Sequence, residues 1–149
     1  QKRKGKNKMK IYLASPFFNE AELNVYRGVV WALRAEGYEV YVPQEHVIED
    51  AWSLSNEDWA QQVFVEDCYA LDGCDVVMVL NFGMYSDSGT AWEAGYAFAK
   101  GKTVVQVLCG GENATYSLMM INGCDNIVEL SQVAHFRKVN ANIAKVIQK

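Results

Sequence analysis

The sequence predicts a single α/β domain of flavodoxin-like, doubly wound architecture: a five-stranded parallel sheet with helices on both faces. Three observations predict it. Short apolar runs alternate five times with helical patterns, no two runs are joined by a hairpin signal, and 149 residues suit one domain. No internal repeat or linker interrupts the series. The domain is expected over 9–149, with 1–8 as a disordered basic tail or residues preceding a start at Met9.

The first strand is Lys10–Ala14, a short apolar run stopped by Ser15-Pro16. Asn19 caps a helical pattern that runs to about Gly37, with Leu23, Tyr26, Val30, Leu33 and Arg34 at helical spacing. Glu39–Val42 reads as a second strand stopped by Pro43, and 43–54 reads as loop. A second helix is expected from about Asn56 to Leu71, capped by Ser55 or Asn56, with Glu57 and Asp58 in its first turn. Asp75–Leu80 is the clearest buried strand, since five consecutive apolar residues lie between turn signals. Gly89–Lys100 is helical, Thr103–Leu108 is a fourth strand, and the chain after Gly110-Gly111 is irregular or briefly helical through Asn122. Ile127–Leu130 forms the last strand, and Ser131 opens a terminal helix to about Ile147.

In a doubly wound sheet, ligands bind beyond the carboxyl ends of the strands, where the strand order reverses. A flavodoxin-like order puts that point between strands 1 and 3. The loops to inspect are therefore 15–18 and 81–88, with the helix start that follows the second.

Composition narrows the function. Half of the residues are hydrophobic and 21% are charged, which suits a folded core and not a disordered chain. The first eight residues hold five of the 14 Lys and Arg and no acid, so the rest carries nine bases against 18 acids. So acidic a body is a poor partner for a nucleic acid polymer. No run is long enough to span a membrane and no signal-peptide core is present, so a cytoplasmic protein is expected. The cysteines Cys68, Cys74, Cys109 and Cys124 form no C-x-x-C pair and lie far from His46 and His135, so neither a zinc frame nor a redox pair is expected. They read as reduced, mostly buried small groups. With no G-x-G-x-x-G after the first strand and no Walker loop, no nucleotide cofactor is expected, and no metal.

The segment Asn81–Ala97 occupies the ligand-binding position and carries two acids, Asp87 and Glu93. Each has two readings. Thr90-x-x-Glu93 is the pattern of a capping box, in which Glu reaches back to a backbone N–H. Asp87 is equally a helix cap or turn residue. Alternatively, both are functional carboxylates at the mouth of the sheet, with the helix N-terminus keeping the Glu93 anion ionised at neutral pH.

Three stretches taken together resemble the nucleoside 2-deoxyribosyltransferase family. These are Ile-Tyr-Leu-Ala-Ser-Pro-Phe-Phe at 11–18, Asp67 eight residues before Asp75, and Asp-Ser-Gly-Thr-Ala-Trp-Glu-Ala-Gly at 87–95. The match continues through Ser-Leu-Met at 117–119 and Asp-Asn-Ile at 125–127. The resemblance implies transfer of a 2-deoxyribosyl group between nucleobases, with Glu93 as nucleophile on C1′, a covalent intermediate and net retention. It implies that Tyr12 positions Glu93 and that Asp67 binds the base and carries its proton, for which a raised pKa suits it. On residue pattern alone, Tyr12 reads as a core tyrosine and Asp67 as a solvated acid on the second helix. Asp87 corresponds to a sugar-binding aspartate, and Phe17 to an aromatic against the base or a core residue. Gly89, Ser117 and Met119 fall among substrate-binding positions. Some members place an Asn from a neighbouring subunit where this chain has Ser117.

The implied partners are a 2′-deoxynucleoside and a free nucleobase. A homo-oligomer, from dimer to hexamer, is also implied, its site completed by a neighbouring subunit. The Met119-Met120-Ile121 run fits an interface patch or buried core. Two rivals remain. An N-glycoside hydrolase of deoxynucleosides or their 5′-monophosphates would use the same Glu, but Ser-Pro-Phe-Phe-Asn-Glu after the first strand is apolar and then acidic, a poor phosphate cradle. A non-catalytic nucleotide-binding or receiver-like module would need acids after the first strand and an aspartate ending the third, where Ser15-Pro16 and Asn81 stand.

Overall fold

The computed structural model describes residues 8–141 and 146–147. The basic segment 1–7, most of the expected terminal helix after Ala141, and the tail at 148–149 lie outside the described residues.

Five parallel strands form one sheet in the order β2-β1-β3-β4-β5, with β1 Lys10–Ala14, β2 Glu39–Tyr41, β3 Val76–Asn81, β4 Thr103–Leu108 and β5 Asn126–Glu129. This is the flavodoxin-like order expected from the sequence. The alternation of side chains along each strand sorts the core into two layers. Ile11 and Leu13 of β1, with Val76, Met78 and Leu80 of β3, face α1 (Glu20–Ala35), which buries Tyr26, Val29, Val30 and Leu33 against them. Tyr12, Ala14, Val77, Val79 and Val104 face the other way, towards Leu71 of α2 (Asn56–Gly73) and Ala94 and Ala97 of α3 (Ser88–Ala99). The small residues of α3 let it lie close to the sheet. A short α4 (Leu118–Asn122) packs Ile121 onto Leu108 and Ile127 at the far side.

Helix ends follow the expected chemistry. Asn19 accepts the Glu22 N–H at 2.9 Å, and Glu22 in turn accepts the Phe18 N–H at 2.9 Å. Ser55 caps α2 through the Asp58 N–H. Gly37 and Gly101, at φ of 89° and 73°, take the left-handed conformation that lets the chain leave α1 and α3.

Several boundaries differ. Pairing of β3 begins at Val76, because Asp75 accepts the Lys10 N–H with its side chain, and it extends to Asn81, opposite Leu108. The segment 43–54 contains two single 3-10 turns, Pro43–Glu45 and Ala51–Ser53. Over 131–141 the expected α-helix from Ser131 does not form: Leu130–His135 is a 3-10 helix instead, and the next described residues are turn and irregular chain. Val133, Phe136 and Val139 pack onto the core at intervals of three, the 3-10 period. The Asn126 side chain donates to the Phe136 and Val139 carbonyls, and the Ala141 N–H donates to Ile127, so the chain is drawn along the sheet edge. All four cysteines are free thiols, but only Cys74 is buried.

Candidate active site

The site is built where β1 and β3 lie side by side while their neighbours diverge. Tyr12, at the middle of β1, is fully buried with its hydroxyl directed towards α3. There it donates a hydrogen bond to Oε2 of Glu93. Oε1 of Glu93 accepts no hydrogen bond among the described residues, so one carboxylate oxygen is held and the other is free.

Glu93 does not belong to a capping box. Because α3 begins at Ser88, Glu93 lies in its second turn, beyond reach of the N-terminal N–H groups. Asp87 is the cap: its Oδ2 accepts both the N–H and the hydroxyl of Thr90 at 2.9 Å. The expectation that the helix N-terminus keeps Glu93 ionised is also revised. Burial pushes its carboxyl up to about 7; the Tyr12 hydrogen bond opposes this, and the charges of Asp67 and Asp87 add to it. Tyr12 is itself raised, by burial first and then by the Glu93 charge, so its phenol stays protonated and donates.

Asp67, on the sheet-facing side of α2, is half-buried. Its carboxyl is raised by burial and then by Glu66, while Tyr41 and His46 pull the other way. These two last residues were not singled out for the site from sequence. Tyr41 ends β2 and stacks on Tyr12, with ring centroids 5.3 Å apart and planes at 18°. His46 stacks on Tyr41 at 4.1 Å and 13°. Burial, then the charge of Asp67, lifts the Tyr41 phenol to about 12. An aromatic followed by a histidine five residues on has no motif value by itself, so only the fold reveals the stack.

The loop between β3 and α3 is shaped from below. Asn81 is fully buried; its Oδ1 accepts the Gly83 N–H at 3.1 Å and the Ser86 hydroxyl at 2.8 Å, and its Nδ2 donates to Gln106. A polar residue ending an apolar strand was the available signal for that role. Gly89 lies in the first turn of α3, where an added Cβ would stand 3.3 Å from the Asp87 carboxylate.

The remaining predicted residues are not joined to Glu93. Phe17 stacks on Phe18 in the loop after β1. Ser117 stands at the start of α4 with no capping hydrogen bond, and Met119 is 75% exposed. No hydrogen bond or ring stacking among the described residues links Phe17, Ser117 or Met119 to Glu93. Of the Met119-Met120-Ile121 run, Ile121 is core and Met119 is surface. Two open grooves lie elsewhere. One, of about 690 Å³, lies between α1 and the turn at Pro43–Glu45; the other, of about 450 Å³, runs along α2. Neither is lined by Tyr12, Asp67, Asp87 or Glu93. Among the described residues no group of three or more His, Cys, Asp or Glu is placed to hold a metal ion. No helix among them is long and apolar enough to cross a membrane.

Fold and site together place the carboxylates Asp67, Asp87 and Glu93 near the switch point of a doubly wound α/β sheet. Residues 11–131 match the family model for nucleoside 2-deoxyribosyltransferase, and the chain belongs to that family. A nucleoside deoxyribosyltransferase of Lactobacillus johnsonii is 28% identical over 133 residues, covering 80% of this chain and 88% of its own. The 2-deoxyribosyltransferase of the psychrotolerant bacterium Bacillus psychrosaccharolyticus superposes with a TM-score of 0.75 at 32% identity, over 94% of this chain and 97% of that one. A CMP N-glycosidase of Clostridium botulinum shares the fold at a TM-score of 0.56 and 21% identity, over 87% and 95% of the two chains.

Proposed function

We propose that the chain transfers the 2-deoxyribosyl group of a 2′-deoxynucleoside to another purine or pyrimidine base, through a covalent deoxyribosyl–Glu93 intermediate. The observation that carries this reading is the Tyr12–Glu93 pair, in which one oxygen is anchored and the other is free. The ionised Glu93 attacks C1′ with its free oxygen as the C1′–N bond breaks. The base leaves with that electron pair and takes a proton from Asp67, whose carboxyl is raised by burial, the direction a proton donor needs. The second base then attacks C1′ from the vacated face, releases the Glu93 carboxylate and returns a proton to Asp67. Two inversions give net retention, as in retaining glycosidases. Asp87 orients the sugar as well as starting α3, and Phe17, Gly89, Ser117 and Met119 complete the substrate contacts.

Among the described residues no hydrogen bond or ring stacking joins Phe17, Ser117 or Met119 to Glu93, and no residue but Tyr12 is hydrogen-bonded to its carboxylate. A homo-oligomer in which a neighbouring copy completes each site accounts for both. The loop after β1 favours unphosphorylated substrates. The N-terminus of α1, where a phosphate would seek N–H donors, is occupied by Asn19 and by the Glu22 carboxylate. The reaction belongs to salvage of bases and deoxynucleosides, and four free thiols suit a reducing cytoplasm.

Incubation with deoxyinosine and adenine should yield deoxyadenosine, and Glu93→Ala should reduce the rate by at least about a thousandfold, as loss of a nucleophile does. Wild-type rates in the variant would sink the nucleophile assignment. Release of free base with no transfer to any acceptor would make the enzyme an N-glycoside hydrolase, with water in the place of the second base.

A further inference from the structure

Two amides interrupt the apolar strands at the centre of the sheet. Asn81 ends β3 and Gln106 lies within β4, and both are fully buried. Side-chain alternation puts them on the face that packs against α3. Gln106 stands level with Val79 and Ala14, one same-face row beyond the row of Tyr12, Val77 and Val104. Its Oε1 accepts from Asn81 Nδ2 at 3.2 Å, while its own Nε2 has no hydrogen-bond partner among the described residues. A methionine or leucine of similar volume would fill that place without an unpaired buried N–H, so packing alone does not account for the amide. Its evident effect is on Asn81. With Nδ2 held by Gln106, Asn81 turns Oδ1 to the loop, where it accepts the Gly83 N–H at 3.1 Å and the Ser86 hydroxyl at 2.8 Å. Ser86 is followed directly by Asp87, whose carboxylate starts α3, and Glu93 lies in the second turn of that helix.

We propose that Gln106 is a positioning residue: through Asn81 it sets the 81–88 loop, and so the places of Asp87 and Glu93, for attack on the sugar. Fully buried, it cannot itself touch the substrate. A hydrogen-bonded amide specifies one orientation of its partner, which an apolar contact does not. The reaction needs that precision, since a displacement of about 1 Å at the reacting atoms can slow a step by about a hundredfold. Asp67, on α2, stands outside this network. The inference rests on the reading that Glu93 attacks the sugar and Asp87 orients it.

The experiment compares the full chain with Gln106→Met, which keeps the volume and removes the acceptor. By NMR the Gly83 and Thr90 N–H groups should exchange about tenfold faster, and kcat/KM for the donor deoxynucleoside should fall about tenfold. The Kd for free adenine, which the proposed reaction puts against Asp67, should stay within about twofold; general damage to the fold would weaken it as well. In an Asn81→Ala background, Gln106→Met should slow the reaction no further, because its route is already cut. Unchanged exchange and rate in Gln106→Met, a parallel loss of adenine binding, or an equal further loss in the Asn81→Ala background overturns the proposal. Ser86→Ala cuts the network at its loop end without touching the sheet. It should show a smaller loss of the same kind, and a full rate there overturns the proposal whatever becomes of the β4 variant. If the wild type cleaves no deoxynucleoside, the proposed function fails, while exchange at Gly83 and Thr90 still decides the role of Gln106.

Discussion

Glu93 is held in an environment that suits chemistry better than stability. Its carboxyl lies near 4.5 in the unfolded chain and near 7 when folded, so the folded state favours the protonated form. The sign follows from proton linkage. Below pH 4.5 both states are protonated and the residue costs nothing. As pH rises through 7 the folded state must hold a buried anion, and the penalty approaches about 3 kcal/mol at about 1.4 kcal/mol per pKa unit. Glu93→Gln keeps an oxygen for the Tyr12 hydroxyl and removes the charge. It should therefore be inactive yet more stable than the wild type at pH 8, by up to about 3 kcal/mol in urea unfolding, and the gain should vanish towards pH 4.5. A constant difference across that range would mean that the carboxylate is not strained by burial. At this scale the sequence was informative about identity and less so about setting. The motif residues stood in recognisable order, whereas the raised pKa of Glu93 comes first from burial and then from the charges of Asp67 and Asp87, a setting that exists only in the folded chain.

At the level of the element, α3 shows how one residue serves two ends. Asp87 satisfies the Thr90 N–H and hydroxyl, and in the proposed reaction it also meets the sugar. The two tasks separate by substitution. Asp87→Ala should cost about 1 kcal/mol of stability, the usual price of a lost cap, while Asp87→Asn should restore most of that stability. If Asp87 also binds substrate through its charge, transfer activity stays depressed in the Asn variant; full activity there would reduce the residue to a cap. The local pattern left this start open between two readings, because Thr90 and Glu93 fit the capping-box spacing as well as Asp87 fits a helix cap; the structure decides for Asp87. Buried strands were legible from their apolar runs. The segment after β5 was not, because Val133, Phe136 and Val139 at intervals of three resemble one face of an α-helix until Asn126 is seen to bind the carbonyls beneath them.

Across the whole molecule, α2 is the anomaly. It is 18 residues, about 27 Å, yet buries only Leu71 fully, while Trp59, Phe64, Val65 and Tyr69 stand exposed. Phe64 packs edge-on against Trp92, which stacks on Tyr96, so the aromatic surface continues onto α3 beside Glu93. Exposed apolar surface of this kind is what the proposed homo-oligomer would cover. Sedimentation of the wild type should show at least a dimer, and Phe64→Asp should shift it towards monomer with a loss of transfer activity but an intact far-UV spectrum. A monomeric wild type with full activity would overturn the shared-site reading. Alternation of strand and helix made the sheet legible; an outward-facing aromatic helix face cannot be read that way, since periodicity reports which side is apolar and not what covers it.

The position of β1 has a consequence in time. It sits inside the sheet, paired on one side with β2 and on the other with Val76–Val79 of β3, more than sixty residues further along the chain. A ribosome adding about 5–20 residues per second completes β1 seconds before β3 has left the exit tunnel. Until then Tyr12 has neither its second ladder nor Glu93, and α1 with β2 can cover only part of the apolar strand. Such long-range pairing slows folding, so the nascent chain carries an open sheet edge through that interval, and its earliest element is among the last to be enclosed.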